Sequence, residues 1–322
     1  YASFRTYGSV HYGSRVGQYK LDDHVSLMHG APEVQDNDPD PDTVVEGNYS
    51  LDLAGHDLDG SELILNGYEL DTVKGVRLMQ SGTDPDFAPT SAPVAVDLTG
   101  AGSVLTIGGD LEYYEDTWSA GNNDGVDYKE GRRIGLHGDE NSVVNLHGDF
   151  LTNTRSSMRG NGLYLSTMNL TGGSMGDPNT FEVGADEDDA IADDTYAIGT
   201  LNVGTASETA YIQLVNDNLN DGDNDVTDPN VGKTKDNEIL LAGTLNIGPG
   251  STLDMNGIGA KVSDTTLSID ATGTLDLNTG LTLAVDDIID SFVGLGDQVS
   301  TWDTFKDQVI DSSNAGYTFG PV

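Results

Sequence analysis

Two pairs of short segments with alternating apolar residues recur at one fixed spacing. Ile247 and Ile269 are 22 residues apart, and so are Met255 and Leu277. Within each pair, the second segment follows the first by eight residues. A fixed period of this size indicates a repeated structural unit. The sequence therefore predicts a coil made of a strand, a tight turn, a second strand and a longer return.

Similar segments occur along the chain from residue 49 to residue 285. Their period-2 alternation of apolar and polar residues is typical of half-buried strands. Gly, Asn and Asp follow the segments, at corners that often need a positive φ. The segments are YSLDLAG (49–55), SELILNG (61–67), SVLTIGG (103–109), SVVNLHG (142–148), STMNLTG (166–172), GTLNVG (199–204), GTLNIG (243–248), STLDMNG (251–257), TTLSID (265–270) and GTLDLN (273–278).

These features predict an all-β fold, a parallel β-helix (β-solenoid) with coils of about 22 residues. The leucine-rich repeat frame and the calcium-binding nonapeptide G-G-x-G-x-D are absent. An antiparallel sandwich could use the same strands, but it does not explain the recurrence of both members of a pair. We place the solenoid at 46–285, after an N-terminal arm and acidic linker at 1–45 and before a C-terminal cap and strand at 286–322.

Several segments interrupt the strand pattern. We expect insertions at 112–133, 184–196 and 207–238, because loop closure entropy grows only slowly with loop length. Trp302, Phe305 and Val309 have helical spacing, which predicts a short helix that caps one end of the solenoid.

The chain is strongly acidic, with 54 Asp and Glu against 14 Lys and Arg and a net charge of −40. Such a chain repels nucleic acid. The absence of Cys excludes disulfides, thiolate nucleophiles and Cys-based metal centres. No apolar stretch reaches 18 residues, so we expect no membrane span. High acidity without Cys favours an extracellular or cell-surface location.

The segment 184–230 carries twelve acidic residues and no Lys or Arg. Ca²⁺ suits such a segment, because it takes six to eight oxygen ligands in irregular geometry. The alternate Asp residues at 221–225 resemble the start of an EF-hand loop, but Val226 replaces the required Gly. A looser calcium loop and a solvated acidic loop both remain open. The predicted calcium ligands are Asp186, Asp188, Asp217, Asp221, Asp223, Asp225 and Asp228.

Residues 1–20 differ from the rest of the chain, since they are cationic and rich in aromatic residues. One interpretation is an edge strand or cap on the same subunit. The other is an arm that adds a strand to the sheet edge of a neighbouring copy, which the opposite charges of arm and body favour. The predicted assembly residues are Tyr1, Phe4, Arg5, Tyr7, Tyr12, Arg15 and Tyr19.

The strings GTLNIGPGSTLDMNG (243–257) and TGTLDLN (272–278) resemble bacterial exoproteins with autotransporter-type β-strand repeats, many of which carry a C-terminal sorting tag. The resemblance covers residues 199–285 well and 49–172 loosely. It implies a secreted or surface-attached right-handed β-helix, in a group whose members are mostly structural or adhesive. The resemblance transfers no catalytic residue.

Motifs for catalysis are weak in this sequence. Ser174 stands in a G-x-S-x-G string, but Asp177-Pro178 follows where that motif needs a helix. The string LHGD occurs at 136–139 and 146–149, which indicates either a transition-metal site or, more simply, a repeated turn.

We therefore expect a non-enzymatic structural protein that assembles with copies of itself into a filament, sheath or surface layer. A head-to-tail contact need not close, so it gives fibres. Two alternatives remain open. One is an adhesin or carbohydrate-binding β-helix that presents Tyr113, Tyr114 and Trp118 to a cell-surface or extracellular polysaccharide, and the other is a β-helix polysaccharide lyase.

Overall fold

The computed structural model describes residues 4–5, 17–34, 44–56, 61–82, 94–117, 134–153, 162–183, 196–216, 241–256, 266–278, 306–314 and 317–318. The chain divides into two units, Tyr1–Gly162 and Leu163–Val322, and each is taken in turn below. Among the described residues, no helix has the length and apolar character needed to cross a membrane.

The described part of the first unit consists of short strands. In four of them, β7, β8, β11 and β14, buried residues alternate with more exposed ones, as the sequence pattern predicts. The strands are β1 (Phe4–Arg5), β2 (Gly17–Lys20), β3 (Val25–Leu27), β4 (Pro32–Val34), β5 (Val44–Glu46), β6 (Tyr49–His56), β7 (Ser61–Ile64), β8 (Glu69–Thr72), β9 (Gly75–Gly82), β10 (Val94–Leu98), β11 (Val104–Ile107), β12 (Leu111–Thr117), β13 (Ile134–Gly138), β14 (Val143–Leu146) and β15 (Phe150–Asn153).

These strands pair in parallel with strands that are distant in sequence. One ladder runs β1-β6-β9-β12-β15, a second β2-β7-β10-β13 and a third β3-β8-β11-β14. Within the described residues of this unit, only the hairpin β4–β5 is antiparallel. The pairing excludes an antiparallel sandwich for these strands.

The second unit follows the same plan. Its described strands are β16 (Gly162–Leu170), β17 (Asn179–Val183), β18 (Tyr196–Val203), β19 (Tyr211–Asn216), β20 (Leu241–Ile247), β21 (Thr252–Asp254), β22 (Thr266–Ile269), β23 (Thr274–Asp276), β24 (Val309–Asp311) and β25 (Tyr317–Thr318). Parallel ladders run β16-β18-β20-β22 and β17-β19-β21-β23-β24, and β25 lies antiparallel on β24.

The register of the second unit reproduces the sequence period. Thr244 is opposite Thr266, and Thr252 is opposite Thr274, so each residue faces the one 22 positions later. Thr200 is opposite Thr244, which is twice that separation. The recurrence in the sequence therefore corresponds to parallel strands placed side by side in register.

The core consists of apolar columns that run across the ladders. Leu51, Val76, Leu111 and Phe150 occupy the same position on successive strands, and all four are fully buried. Each buried side chain of this size contributes roughly 1.5–3 kcal/mol. One strand buries little by itself, so stability depends on stacking its neighbours.

Asp and Asn side chains build many of the corners. Asp97 and Asp139 each accept a hydrogen bond from the backbone N–H two residues later, at 2.7 and 2.8 Å. Such Asx turns reverse the chain locally. Asn66, Asn256 and Asn278 adopt positive φ angles of 57°, 48° and 43°. Part of the acidic composition therefore serves the turns of the fold. The same turn also occurs at Asp254, Asp270, Asp276 and Asp311.

One expectation about local structure was wrong in its described part, and a second is described only at its end. The predicted helical cap lies mostly outside the described residues. Within them, Lys306–Gln308 forms a 3-10 turn, and Val309, one of the three residues with helical spacing, is buried in strand β24. The predicted insertions at 112–133 and 207–238 contain most of β12 and all of β19. β12, β19 and β24 each pair with a strand that is distant in sequence, and neither helical spacing nor local polarity predicts such pairing.

Candidate functional site

The N-terminal edge of the first unit is formed by β1, β2 and β3. Phe4 and Arg5 of β1 lie opposite Leu51 and Asp52 of β6, and β2 pairs with β7. The described parts of the cationic segment therefore add strands to their own chain. Among the described residues, no strand pairs with the outer edges of β2 and β3.

An apolar column reaches this edge and ends there. Tyr19 lies opposite Leu63, and the column continues through Val96 to Leu136. The three inner residues are at most 4% exposed, whereas Tyr19 is 40% exposed. The outermost rung is thus less covered than the rungs behind it.

In the second unit, β22 has a partner on one side only, as far as the chain is described. β22 pairs with β20 on one side, and no strand of the described chain pairs with its other side. The neighbouring ladder ends differently, because the two-residue strand β25 pairs with β24. Short covering strands of this kind protect a sheet edge from further pairing. The edge of β22 that has no partner among the described residues is therefore the candidate contact of this unit.

A charged cluster lies on the ladder of β6, β9 and β12. The Arg77 guanidinium donates to both carboxylate oxygens of Asp52, at 2.9 and 3.1 Å, and lies 4.6 Å above the Tyr49 ring. The Tyr49 hydroxyl donates to Glu112. Burial, followed by the hydrogen bond to Glu112, raises the pKa of Tyr49. The charged groups of this cluster thus interact with one another, and these interactions connect β6, β9 and β12.

Two buried carboxylates face each other on the second unit. Asp254 and Asp276 are paired in register and are 3% and 2% exposed. Asp254 accepts hydrogen bonds from Gln213 and Asn278, at 2.9 and 3.2 Å. Burial raises the pKa of Asp276, and the charge of Asp254 raises it further, against the lowering effect of hydrogen bonds from Ser312.

The outer face of the β16-β18-β20 ladder carries a row of asparagines. The Asn246 amide donates to the Asn202 side chain at 2.8 Å, and Asn202 donates in turn to Asn169 at 2.7 Å. A row of threonines runs beside it, since Thr167, Thr200 and Thr244 are opposite one another. These repeated T-x-N strings therefore act as cross-strand ladders that fix the register.

Tyr113 is a core residue, so its expected exposure to a ligand was wrong. Its side chain is fully buried and packs edge-to-face on Phe150 at 5.1 Å between ring centroids. The hydroxyl accepts a hydrogen bond from the Leu136 N–H at 3.1 Å. Tyr113 occupies an inward position of β12, between Leu78 and Thr152, which explains the burial.

The other candidate motifs have structural roles where they are described. Ser174 and Asp177 exchange backbone hydrogen bonds of 2.8 and 3.0 Å around a tight turn, which is unlike a nucleophile elbow. Asp139 of the first LHGD string accepts from Gly100 and Asn141, and these hydrogen bonds lower its pKa. These geometries correspond to turns.

Many predicted site residues lie outside the described residues. No group of three metal-ligating side chains occurs in the described ranges. The predicted calcium ligands outside them are Asp186, Asp188, Asp217, Asp221, Asp223, Asp225 and Asp228. The remaining predicted residues outside them are Tyr1, Tyr7, Tyr12, Arg15 and Trp118, and Tyr114 is described only in its backbone.

No protein-family model, curated protein or solved structure matches this chain. The candidate site is therefore inferred from the pairing of the strands alone. Sequence analysis indicated the N-terminal edge through its unusual composition, but it gave no sign that one side of β22 has no partner in the described ranges. Only the pairing of the strands distinguishes an uncovered edge from a covered one.

Proposed function

We propose that the chain is an extracellular or cell-surface structural protein that assembles with copies of itself through open strand edges. The fold assigned in this proposal is a parallel β-solenoid with coils of about 22 residues in its second unit. The 22-residue registers of β20 with β22 and of β21 with β23 support this assignment. The likeness to exoproteins with autotransporter-type repeats agrees with it.

The observation that carries the proposal is that several strand edges have no partner within the described part of the chain. β3 and β22 each have one parallel neighbour and, within the described chain, no second neighbour. An uncovered edge presents unpaired N–H and C=O groups, which bind another strand readily. A parallel edge accepts a further parallel strand without any change in the strands already present.

Charge sets the conditions for assembly. Copies that each carry a net charge of −40 repel one another strongly. Cations must screen or bridge this charge before two copies approach, and Ca²⁺ bound by the acidic segment 184–230 fits the carboxylate-rich composition. We therefore include calcium as an assembly cofactor, and we assign no catalytic activity.

The test is the size of the full chain in solution. Sedimentation velocity and negative-stain electron microscopy are carried out with Ca²⁺, with matched ionic strength of Na⁺, and with a chelator. We expect concentration-dependent polymers with Ca²⁺ that shorten on chelation. Monomers at every concentration and in every buffer would refute self-assembly, and polymers that are indifferent to chelation would remove calcium from the proposal.

A further inference from the structure

The four strands β16, β18, β20 and β22 of the second unit contain no charged residue. Charged residues nevertheless make up 21% of the chain, and the net charge is −40. The other ladder of the same unit carries Glu182, Asp254 and Asp276. The outer face of β16, β18, β20 and β22, which we call the neutral face, is therefore polar but uncharged in a strongly acidic protein.

The two ladders differ at one repeated position. β20 contains T-L-N at 244–246, whereas β21 and β23 contain T-L-D at 252–254 and 274–276. All three strings lie in strands that pair in register 22 residues apart. A parallel strand of this protein thus accepts either residue, and the strand alone does not require the uncharged one.

The row of amides explains only part of this neutrality. Asn169, Asn202 and Asn246 lie side by side, and the described amide ladder ends at Asn246, which donates to Asn202. Ser268 lies opposite Asn246 and is exposed. The row therefore stays uncharged beyond the described amide ladder.

The neutral face retains hydrogen-bonding groups for a ligand. A side-chain amide has two N–H donors and an oxygen with two lone pairs. In the described ladder, Asn202 donates one N–H to Asn169 and accepts one hydrogen bond from Asn246, so half of its capacity remains. The half-buried Thr200 and Thr244 of the neighbouring row add hydroxyl groups at the same spacing.

An aromatic side chain lies on the same face. Tyr164 alternates with the buried Leu163 and Leu165 of β16, and it is 40% exposed. A tyrosine offers an apolar ring together with a polar hydroxyl. Sugars present the complementary groups, because their C–H faces stack on aromatic rings while their hydroxyls bind amides and hydroxyls.

We propose that the neutral face binds an uncharged polysaccharide, with the rows of Asn and Thr running along the sugar chain. The rows advance by about 4.8 Å per strand, which is close to the advance per sugar in an extended hexose polymer. Charge favours this partner, because a chain of net charge −40 repels acidic polysaccharides and further copies of itself. The site is separate from the strand edges of the proposed self-assembly and from the residues that the sequence indicated for carbohydrate binding.

The first test is co-sedimentation of the full chain with cellulose, chitin and mannan, and with polygalacturonate immobilised on beads as the acidic glycan. A chelator prevents Ca²⁺ from bridging acidic groups, and a glycan-free control accounts for polymers that sediment alone. We expect at least one uncharged glycan to bind, and at least about tenfold weaker binding to polygalacturonate. Binding to none of the three, or equal binding to polygalacturonate, would overturn the proposal.

Matched variants test whether the neutral face is the binding surface. The double variant Thr200→Val/Thr244→Val removes two hydroxyls from it, and Thr252→Val/Thr274→Val removes two from half-buried threonines of the other ladder. Tyr164→Ala removes the ring, whereas Tyr164→Phe keeps it. We expect binding to weaken at least about fivefold for Thr200→Val/Thr244→Val and for Tyr164→Ala, and to stay unchanged for the other two. Circular dichroism confirms that each variant is folded.

The outcomes separate this inference from the proposed function. If a glycan binds but Thr200→Val/Thr244→Val and Tyr164→Ala bind it as well as the wild type does, the glycan lies elsewhere and the proposal is wrong. If no glycan binds and Thr200→Val/Thr244→Val disrupts polymers, the neutral face is instead a contact between copies. Glycan binding is measured separately from polymer size, so its failure leaves self-assembly standing.

Discussion

Replacement of Asp276 by Asn should make the protein more stable at neutral pH. Asp276 and Asp254 are almost fully buried and lie opposite each other on adjacent strands. Asp276 accepts hydrogen bonds from the Asn278 and Ser312 N–H groups through one oxygen, at 3.1 and 2.9 Å. An asparagine keeps that carbonyl oxygen, so Asp276→Asn removes the charge and preserves the turn.

The magnitude follows from the distance between the strands. Two unit charges about 5 Å apart repel by about 3 kcal/mol at an effective dielectric constant of about 20. The hydrogen bonds that Asp254 and Asp276 accept offset part of this repulsion. We therefore expect Asp276→Asn to raise the free energy of unfolding by about 1 kcal/mol at pH 7.

The pH dependence has a defined sign. Burial and the Asp254 charge raise the pKa of Asp276 in the folded state. The folded protein therefore binds this proton more tightly than the unfolded chain does. The stabilisation that results is fully present below the unfolded pKa of about 3.9 and is lost as pH rises through the folded pKa. The advantage of Asp276→Asn should thus grow with pH across this window and then level off.

The assay is urea unfolding of the wild type and the variant at a series of pH values. Asp270→Asn is the matched control, because Asp270 is exposed and forms the same kind of turn. Its carboxylate accepts a hydrogen bond from the Thr272 N–H at 3.0 Å. We expect little pH-dependent difference for Asp270→Asn. A loss of stability in Asp276→Asn at pH 7, or a gain that does not depend on pH, would contradict like-charge repulsion between the two rungs.

Two further substitutions probe the first unit. Arg77→Met should lower the free energy of unfolding by about 3–5 kcal/mol, because it leaves the buried Asp52 carboxylate without its cation; urea titration measures this, and a double variant Arg77→Met/Asp52→Leu that is no more stable than Arg77→Met would contradict it. Tyr113→Phe should cost about 1–3 kcal/mol, since the buried Leu136 N–H loses its acceptor. Hydrogen exchange at the Leu136 amide should accelerate, and unchanged exchange would show that this hydrogen bond contributes little.

The sequence by itself determined the type of structure and much of its position. Each of the ten segments recognised from alternation overlaps a strand, and the 22-residue spacing reappears as the register of Thr244 with Thr266 and of Thr252 with Thr274. These features were predictable for two reasons. Alternation of apolar and polar side chains indicates that one face of a strand is buried, and a fixed period indicates that equivalent positions stack on one another.

Tertiary structure decided which edges are covered and which side chains become core. β12 and β19 formed in segments that looked like insertions, Val309 joined a strand instead of a helix, and Tyr113 turned inward. The physical reason is that a strand obtains its hydrogen bonds from a partner distant in sequence. Whether an edge such as that of β22 is occupied depends on every other strand, so local sequence carries no signal for it.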